Sequence, residues 1–205
     1  MLIGIVNYGL GNVKSVSSAF EYLGYDTILC KEKNDFSNIT HLVLPGVGAF
    51  ERAMNLIKNK KLYEVISNKV NIEKTPTLGI CLGLQIMADK SYEFGEHTGF
   101  SWIQGKVIKL PTINKKSKLP NIGWESVSFN DKSLFKGISQ ESDFYFVHSF
   151  YLKPSNKKYC IGTYKYGNEN ITAAIRKENI VATQFHPEKS QENGLKFLEN
   201  FIKLY

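Results

Sequence analysis

Four short apolar runs alternate with stretches of helical spacing through the first half of the chain, and this alternation restricts the fold more than any other feature. The runs are LIGIV (2–6), TILC (27–30), HLVL (41–44) and TLGI (77–80). Between the first two, residues 12–23 are apolar at 13, 16, 19, 20 and 23, and Gly24 follows, which predicts a helix with a glycine stop. Further helices are predicted at about 49–58 and 61–70, and LQIMADK (84–90) is expected to continue helically after the fourth run. Runs with no polar alternation are buried on both faces. Strands of that kind separated by helices imply a parallel sheet covered on both sides.

Beyond about residue 100 the pattern changes. KVIKL (106–110), SVSF (126–129), FYFVHSF (144–150), YCIGTY (159–164), ITAAI (171–175) and IVATQF (180–185) read as short strands separated by polar turns. They are expected to add antiparallel strands to the sheet. Residues 190–205 return to helix spacing, with Leu195, Leu198, Phe201 and Ile202 apolar. No linker or repeat interrupts the chain. Residues 1–205 are therefore expected to form one α/β domain: a central, mostly parallel sheet flanked by helices, with antiparallel strands added in the C-terminal half.

The 205 residues are 42% hydrophobic and 22% charged, enough apolar material for a sizeable core. Three cysteines at 30, 81 and 160 form neither a disulfide framework nor a zinc pattern, so no metal or cofactor is expected. The opening segment lacks the layout of a signal peptide, and no run reaches the roughly 18 apolar residues of a membrane span. A cytoplasmic protein with reduced thiols is expected, with no membrane partner. The net charge of +7 is spread along the chain, and its one tight run, Lys115, Lys116 and Lys118, reads as a solvated loop. Nucleic acid is not an expected partner; a basic face suits an acidic protein or a phosphorylated metabolite.

Gly79-Ile80-Cys81-Leu82-Gly83 places a cysteine between two glycines, directly after an apolar strand. That is the G-x-nucleophile-x-G layout of a strand-to-helix elbow, in which side chains at the glycines would clash. A thiol there would have its thiolate stabilised by free N–H groups, and the Leu82 N–H could point at an oxyanion. Cys30 and Cys160, inside plain strand patterns, read as small core residues.

A thiolate mechanism needs a base that later acts as an acid, fixed in one tautomer by a third group. His186 ends IVATQF and is followed by Pro187 and Glu188. Proline stops the strand, which leaves the imidazole at its C-terminal edge, where the crevice of an α/β sheet lies. Glu188 is close enough to reach back to one ring nitrogen. His148 is the competing histidine, but a lone histidine in an aromatic strand reads as a satisfied core group. His41 and His97 are assigned no role. The loop Leu44-Pro45-Gly46-Val47-Gly48-Ala49-Phe50 follows the third strand, and its N–H groups, free of bulky neighbours, could face a developing oxyanion.

Together GICLGLQIM, LPGVGAF and FHPEKS resemble the class I (triad type) glutamine amidotransferases, which have a flavodoxin-like α/β fold. With NYGLGNVKSV at the start, PNIGWESV in the middle and YFVHSFY later, the whole chain is similar to the glutaminase subunits of imidazole glycerol phosphate synthases. The resemblance implies hydrolysis of L-glutamine to glutamate and ammonia by a triad of Cys81, His186 and Glu188. It places the oxyanion hole at Val47, Gly48 and Leu82, and substrate contacts at Gly46, Gln85, Tyr145, His148 and Ser149. It also implies a heterodimer with a (β/α)₈ cyclase, which uses the ammonia to form imidazole glycerol phosphate and AICAR in histidine biosynthesis. Asn12, Lys14 and Trp124 correspond to surfaces facing that cyclase. Asn7, Asn121 and Glu125 depart from the family's usual residues, and none belongs to the triad. These departures keep open a second acceptor, a surface-polysaccharide sugar that receives the ammonia in an amidination.

Two readings from other classes are weaker. Gly9-Leu10-Gly11 follows a strand as in a dinucleotide-binding turn, with Glu32 further on, but Lys14 occupies the third glycine position and spoils the close packing that turn requires. A purely binding subunit would have no use for an intact Cys81, His186 and Glu188.

Overall fold

The computed structural model describes residues 1–113 and 119–205, so the lysine run at 115–118 lies outside the described residues. In chain order the elements are β1 (Leu2–Val6), α1 (Val13–Tyr22), β2 (Asp26–Cys30), β3 (His41–Gly46), α2 (Phe50–Asn59), α3 (Tyr63–Asn71), β4 (Thr77–Cys81) and α4 (Leu82–Ile86). Then follow β5 (Ala88–Ser91), β6 (His97–Thr98), β7 (Ile103–Lys109), β8 (Asn121–Phe129), β9 (Ser142–His148), β10 (Phe150–Pro154), β11 (Cys160–Tyr166), β12 (Glu169–Lys177), β13 (Ile180–Thr183) and α5 (Gln191–Leu204).

Nine strands form the main sheet in the order β2-β1-β3-β4-β13-β12-β11-β8-β9. The first five are parallel to one another and the rest join antiparallel. Successive residues of the parallel strands serve opposite faces, as a pleat of period two requires. Val43 packs into a layer with Phe20 of α1 and Phe201 of α5, whereas Leu42 and Leu44 pack with Ala53 and Ile57 of α2 and Ile66 of α3. Burial of a side chain such as Phe20 or Phe201 contributes ~1.5–3 kcal/mol. Asn12 caps α1, its Oδ1 accepting from the Ser15 N–H at 3.3 Å.

The structure corrects three expectations. The helix predicted over 84–90 ends at Ile86, and Ala88–Ser91 form β5 instead. Its local residues favour a helix, but Ala88 pairs with Ile103, and the Phe100 N–H donates to the Ile86 carbonyl at 2.8 Å. Tertiary pairing overrides propensity here. IVATQF does not join antiparallel throughout: β13 lies parallel to β4, with Thr183 opposite Ile80, and is antiparallel only to β12. Finally, KVIKL and the end of FYFVHSF leave the main sheet. They belong to β7 and β10 of a second, four-stranded sheet, β10-β7-β5-β6, and Ser149 is the residue at which the chain passes from one sheet to the other.

Candidate active site

Because β3, β4 and β13 are adjacent and parallel, their C-terminal ends meet at one edge, and each delivers a polar or flexible segment there. β4 delivers Cys81, which adopts φ +54° and ψ −105°, a strained backbone for any residue but glycine. The flanking glycines explain how the turn is tolerated. A Cβ on Gly83 would stand 1.7 Å from the Leu44 carbonyl oxygen, and one on Gly79 would stand 2.7 Å from Met87 Cε. Cys81 is 5% exposed. Gln184 Nε2 lies 3.6 Å from its sulfur, and the Val147 carbonyl oxygen lies at 3.8 Å.

The segment after β13 carries His186. Its N–H donates to the Tyr145 carbonyl at 2.9 Å, and its own carbonyl accepts from Ser190 Oγ at 2.7 Å and the Lys189 N–H at 3.0 Å. Pro187 opens a short 3₁₀ turn that folds Glu188 back, so that Oε1 lies 2.8 Å from His186 Nδ1. The other ring nitrogen, Nε2, bonds to no described residue, and the ring interacts directly with Cys81. Burial by itself would lower the pKa of this imidazole. The Cys81 sulfur beside the ring, together with Glu188, outweighs burial and raises the value to about 10. The geometry therefore sets the imidazole between the Cys81 sulfur and the Glu188 carboxylate.

β3 delivers the third segment. Gly46 lies opposite Cys81 in the β3–β4 register, and Val47 and Gly48 line the same cleft as the thiol. Gly48 has φ +106°, open to glycine and rarely to other residues. The Val47 and Gly48 N–H groups donate to no described residue. Leu82 begins α4, so its N–H lacks a partner within the helix. The cleft encloses about 340 Å³, near the lower end of the ~300–1,000 Å³ of small-ligand sites, which suits an amino acid better than a nucleotide. Larger surface grooves, about 550 Å³ beside Lys58 and Tyr63 and about 470 Å³ beside Asn12 and Lys14, have no cysteine among their described lining residues, and the sulfur decides the location.

A nucleophile elbow, a histidine oriented by a carboxylate and a glycine-rich loop thus meet at one sheet edge. The family model for glutamine amidotransferase class-I matches residues 4–204. The chain belongs to this family. The amidotransferase is 41% identical over 204 residues to imidazole glycerol phosphate synthase subunit HisH 1 of Campylobacter jejuni, covering 99% of this chain and 100% of that protein. It is 42% identical over 203 residues to subunit HisH 2 of Methanococcus maripaludis, covering 98% and 99%. Among solved structures, PurLQS from Thermotoga maritima superposes with a TM-score of 0.74 at 16% identity, over 99% of this chain and 98% of that one, a likeness of fold.

Of the residues singled out from the sequence, the amidotransferase gathers Cys81, His186 and Glu188 in one cluster, with Val47, Gly48, Leu82, Gln85, His148 and Ser149 lining the cleft. Gln85 Nε2 donates to the Phe150 carbonyl at 2.7 Å and to Gln184 Oε1 at 3.1 Å, and so fixes the amide that meets the sulfur. His148 forms part of the wall, but its ring is fully engaged. Nδ1 donates to the Phe150 carbonyl and Nε2 accepts from the Tyr164 hydroxyl, both at 2.9 Å. Burial, and to a lesser extent the charge of His186, lower its pKa to about 4 against that carbonyl hydrogen bond, so the ring is neutral.

Tyr145 does not line the cleft. It lies two residues before Val147 on β9, about 6.5 Å further along the strand, and its ring meets Trp124 and His186 at centroid distances of 5.8 and 6.5 Å. Asn12 and Lys14 line a separate groove that includes Glu188. Trp124 is 46% exposed on β8. The sequence reading missed Glu93, Val147, Phe150 and Gln184, all at the cleft or the sulfur. Glu93 is the only carboxylate among the described residues lining it, and its Oε2 accepts from the Phe50 N–H at 2.7 Å.

Proposed function

We propose that the chain is the glutaminase subunit of an imidazole glycerol phosphate synthase, with Cys81, His186 and Glu188 as its triad. The observation that carries the reading is the His186 ring, braced by Glu188 and turned to a thiol on a strained elbow. In this mechanism the Cys81 sulfur attacks the side-chain carboxamide carbon of glutamine. The carbonyl oxygen becomes an oxyanion, received by the N–H groups of Leu82 and of the Val47–Gly48 loop. The C–N bond then breaks as His186 gives its proton to the departing nitrogen, leaving ammonia and a thioester. His186, now neutral, takes a proton from water as the water attacks the thioester. Glutamate leaves and the imidazolium–thiolate pair is restored.

Glu93 supplies the negative charge that a zwitterionic amino acid needs for its ammonium group, and Gly46, Gln85 and Ser149 shape the cleft around the rest. Residues 1–205 act as one amidotransferase domain, a reading supported by two core layers that share the main sheet. The partner is a (β/α)₈ cyclase that receives the ammonia, bound as a heterodimer across the face holding Asn12, Lys14 and Trp124. The chemistry belongs in the cytoplasm. Three unpaired cysteines support that placement, and no helix among the described residues is long and apolar enough to cross a membrane. The departures at Asn7, Asn121 and Glu125 favour a second reading, a partner that amidinates a surface sugar.

The test is glutamate release by the chain mixed with each candidate (β/α)₈ partner, with and without that partner's substrate. Strong stimulation by the histidine-pathway cyclase is the expected result. Stimulation only by a surface-sugar partner would move the acceptor, and silence with every partner would refute the triad assignment.

A further inference from the structure

Tyr8 stands two residues past the end of β1, and its side chain ends against Gly46, where the loop leaves β3. The residue is fully buried, and its hydroxyl has no hydrogen-bond partner among the described residues. A Cβ placed on Gly46 would stand 2.2 Å from the Tyr8 oxygen and 3.0 Å from Leu82 Cβ. The phenol oxygen therefore rests against the Gly46 Cα, on the protein side of the loop, with the residue after the nucleophile beside it. Gly11 closes the same space, since a Cβ there would meet the Gly46 Cα at 3.2 Å.

A buried hydroxyl without a partner costs free energy, and a phenylalanine ring would fill the space without that cost. The hydroxyl thus does not serve the conformation in which it is unpartnered. Peptide geometry identifies another that it can serve. In a trans peptide the C=O and N–H point to opposite sides. When the Gly46–Val47 peptide aims its N–H into the cleft, its carbonyl must face inward, toward Tyr8.

We propose that Tyr8 is a positioning residue of the oxyanion loop, whose hydroxyl donates to the Gly46 carbonyl when the Val47 N–H turns toward the cleft. The bond latches the loop in its active form, and the unpartnered hydroxyl marks the open one. Burial first, and the nearby Cys81 charge second, hold the phenol pKa above its ordinary value, so the donor keeps its proton at any working pH. The proposal rests on the glutaminase reading given above.

The test compares wild-type chain with Tyr8→Phe, each assembled with the cyclase partner and that partner's substrate, by glutamate release over a range of glutamine concentrations. Melting temperatures of the two free chains are measured alongside. A latch predicts kcat lower by about 5–30-fold, the worth of one hydrogen bond made in the active form, with KM for glutamine within about twofold. It also predicts a melting temperature for Tyr8→Phe equal to or above wild type. An unchanged kcat overturns the proposal. So does a lowered melting temperature or a variant that fails to fold, because the hydroxyl would then be serving the resting structure. A rise in KM that matches the loss in kcat/KM would make Tyr8 a general binding support and not a latch. If the wild-type complex itself releases no glutamate, the glutaminase reading fails and the latch falls with it.

Discussion

His186 Nδ1 and Glu188 Oε1 lie 2.8 Å apart, with both side chains only 2% exposed. Pro187 between them makes the contact possible, because its turn brings side chains two residues apart onto one side. Glu188→Gln keeps the shape but removes the charge that holds the imidazolium and can reverse the tautomer. The expected loss in kcat is on the order of 10²–10⁴-fold, with a much smaller change in KM for glutamine. Steady-state glutamate release from the assembled complex checks it, and a loss below tenfold would show that the carboxylate has little part in the chemistry.

Cys81→Ala removes the only atom that can form the thioester. Glutamine-dependent turnover of the complex should fall to background, while turnover with ammonium salt at raised pH should persist, because the partner's chemistry is untouched. A parallel loss of both activities would show that the substitution damages assembly.

Gly83 tests the packing of the elbow. A Cβ there would stand 1.7 Å from the Leu44 carbonyl oxygen, a main-chain atom fixed in β3 that cannot swing away. Gly83→Ala should destabilise the chain by about 3 kcal/mol or more, the upper range of overpacking costs. Gly9 gives the contrast, with φ +105° and nothing within 4 Å of an added Cβ. Its alanine variant faces backbone strain alone, about 1–2 kcal/mol. Urea denaturation of the two variants should rank them in that order.

The elbow and the histidine were legible in the sequence because each is a local pattern: glycines two residues either side of Cys81, and proline between His186 and Glu188. The parallel placement of β13 was not, because an apolar run of four to six residues reports burial and says nothing about its neighbour's direction. Ala88–Ser91 read as helix for a related reason. Met, Ala and Lys favour a helix locally, and the pairing with Ile103 that overrides them lies fifteen residues away. Glu93 reaches the cleft only because β5 replaces that helix and turns the following loop back toward Phe50. Tyr8 lies in NYGLGNVKSV and Gln184 in IVATQF, but neither pattern gives them a role. Their positions follow from which strands lie side by side, and only the folded sheet supplies that.

Trp124 and Ile122 stand two residues apart on β8, so they share a face, and they are 46% and 61% exposed. Apolar surface left open beside the sheet edge of the active site suits the docking of a partner. Trp124→Ala should raise the Kd for the cyclase by roughly 10–100-fold, the range of a central aromatic contact. Titration calorimetry of the two chains measures it. The melting temperature of the free chain should move little, since so much of the ring is already in water.

His148 makes a prediction about acid. Its ring is neutral in the fold, donating to Phe150 and accepting from Tyr164, and it takes up a proton only near pH 4 instead of 6.5. Between those values the unfolded chain binds more protons at this site than the folded chain does. Stability therefore falls as pH drops from 6.5 to 4, by roughly 3 kcal/mol in total from this group, and above 6.5 the group adds no pH dependence. In His148→Gln the site cannot titrate. The variant should be less stable at pH 7, where it loses a fitted ring, but its urea midpoint should decline less steeply between pH 6.5 and 4 than that of wild type. Parallel declines in the two proteins would mean that His148 is protonated as readily in the fold as outside it, and the buried pair with Tyr164 would have to be abandoned.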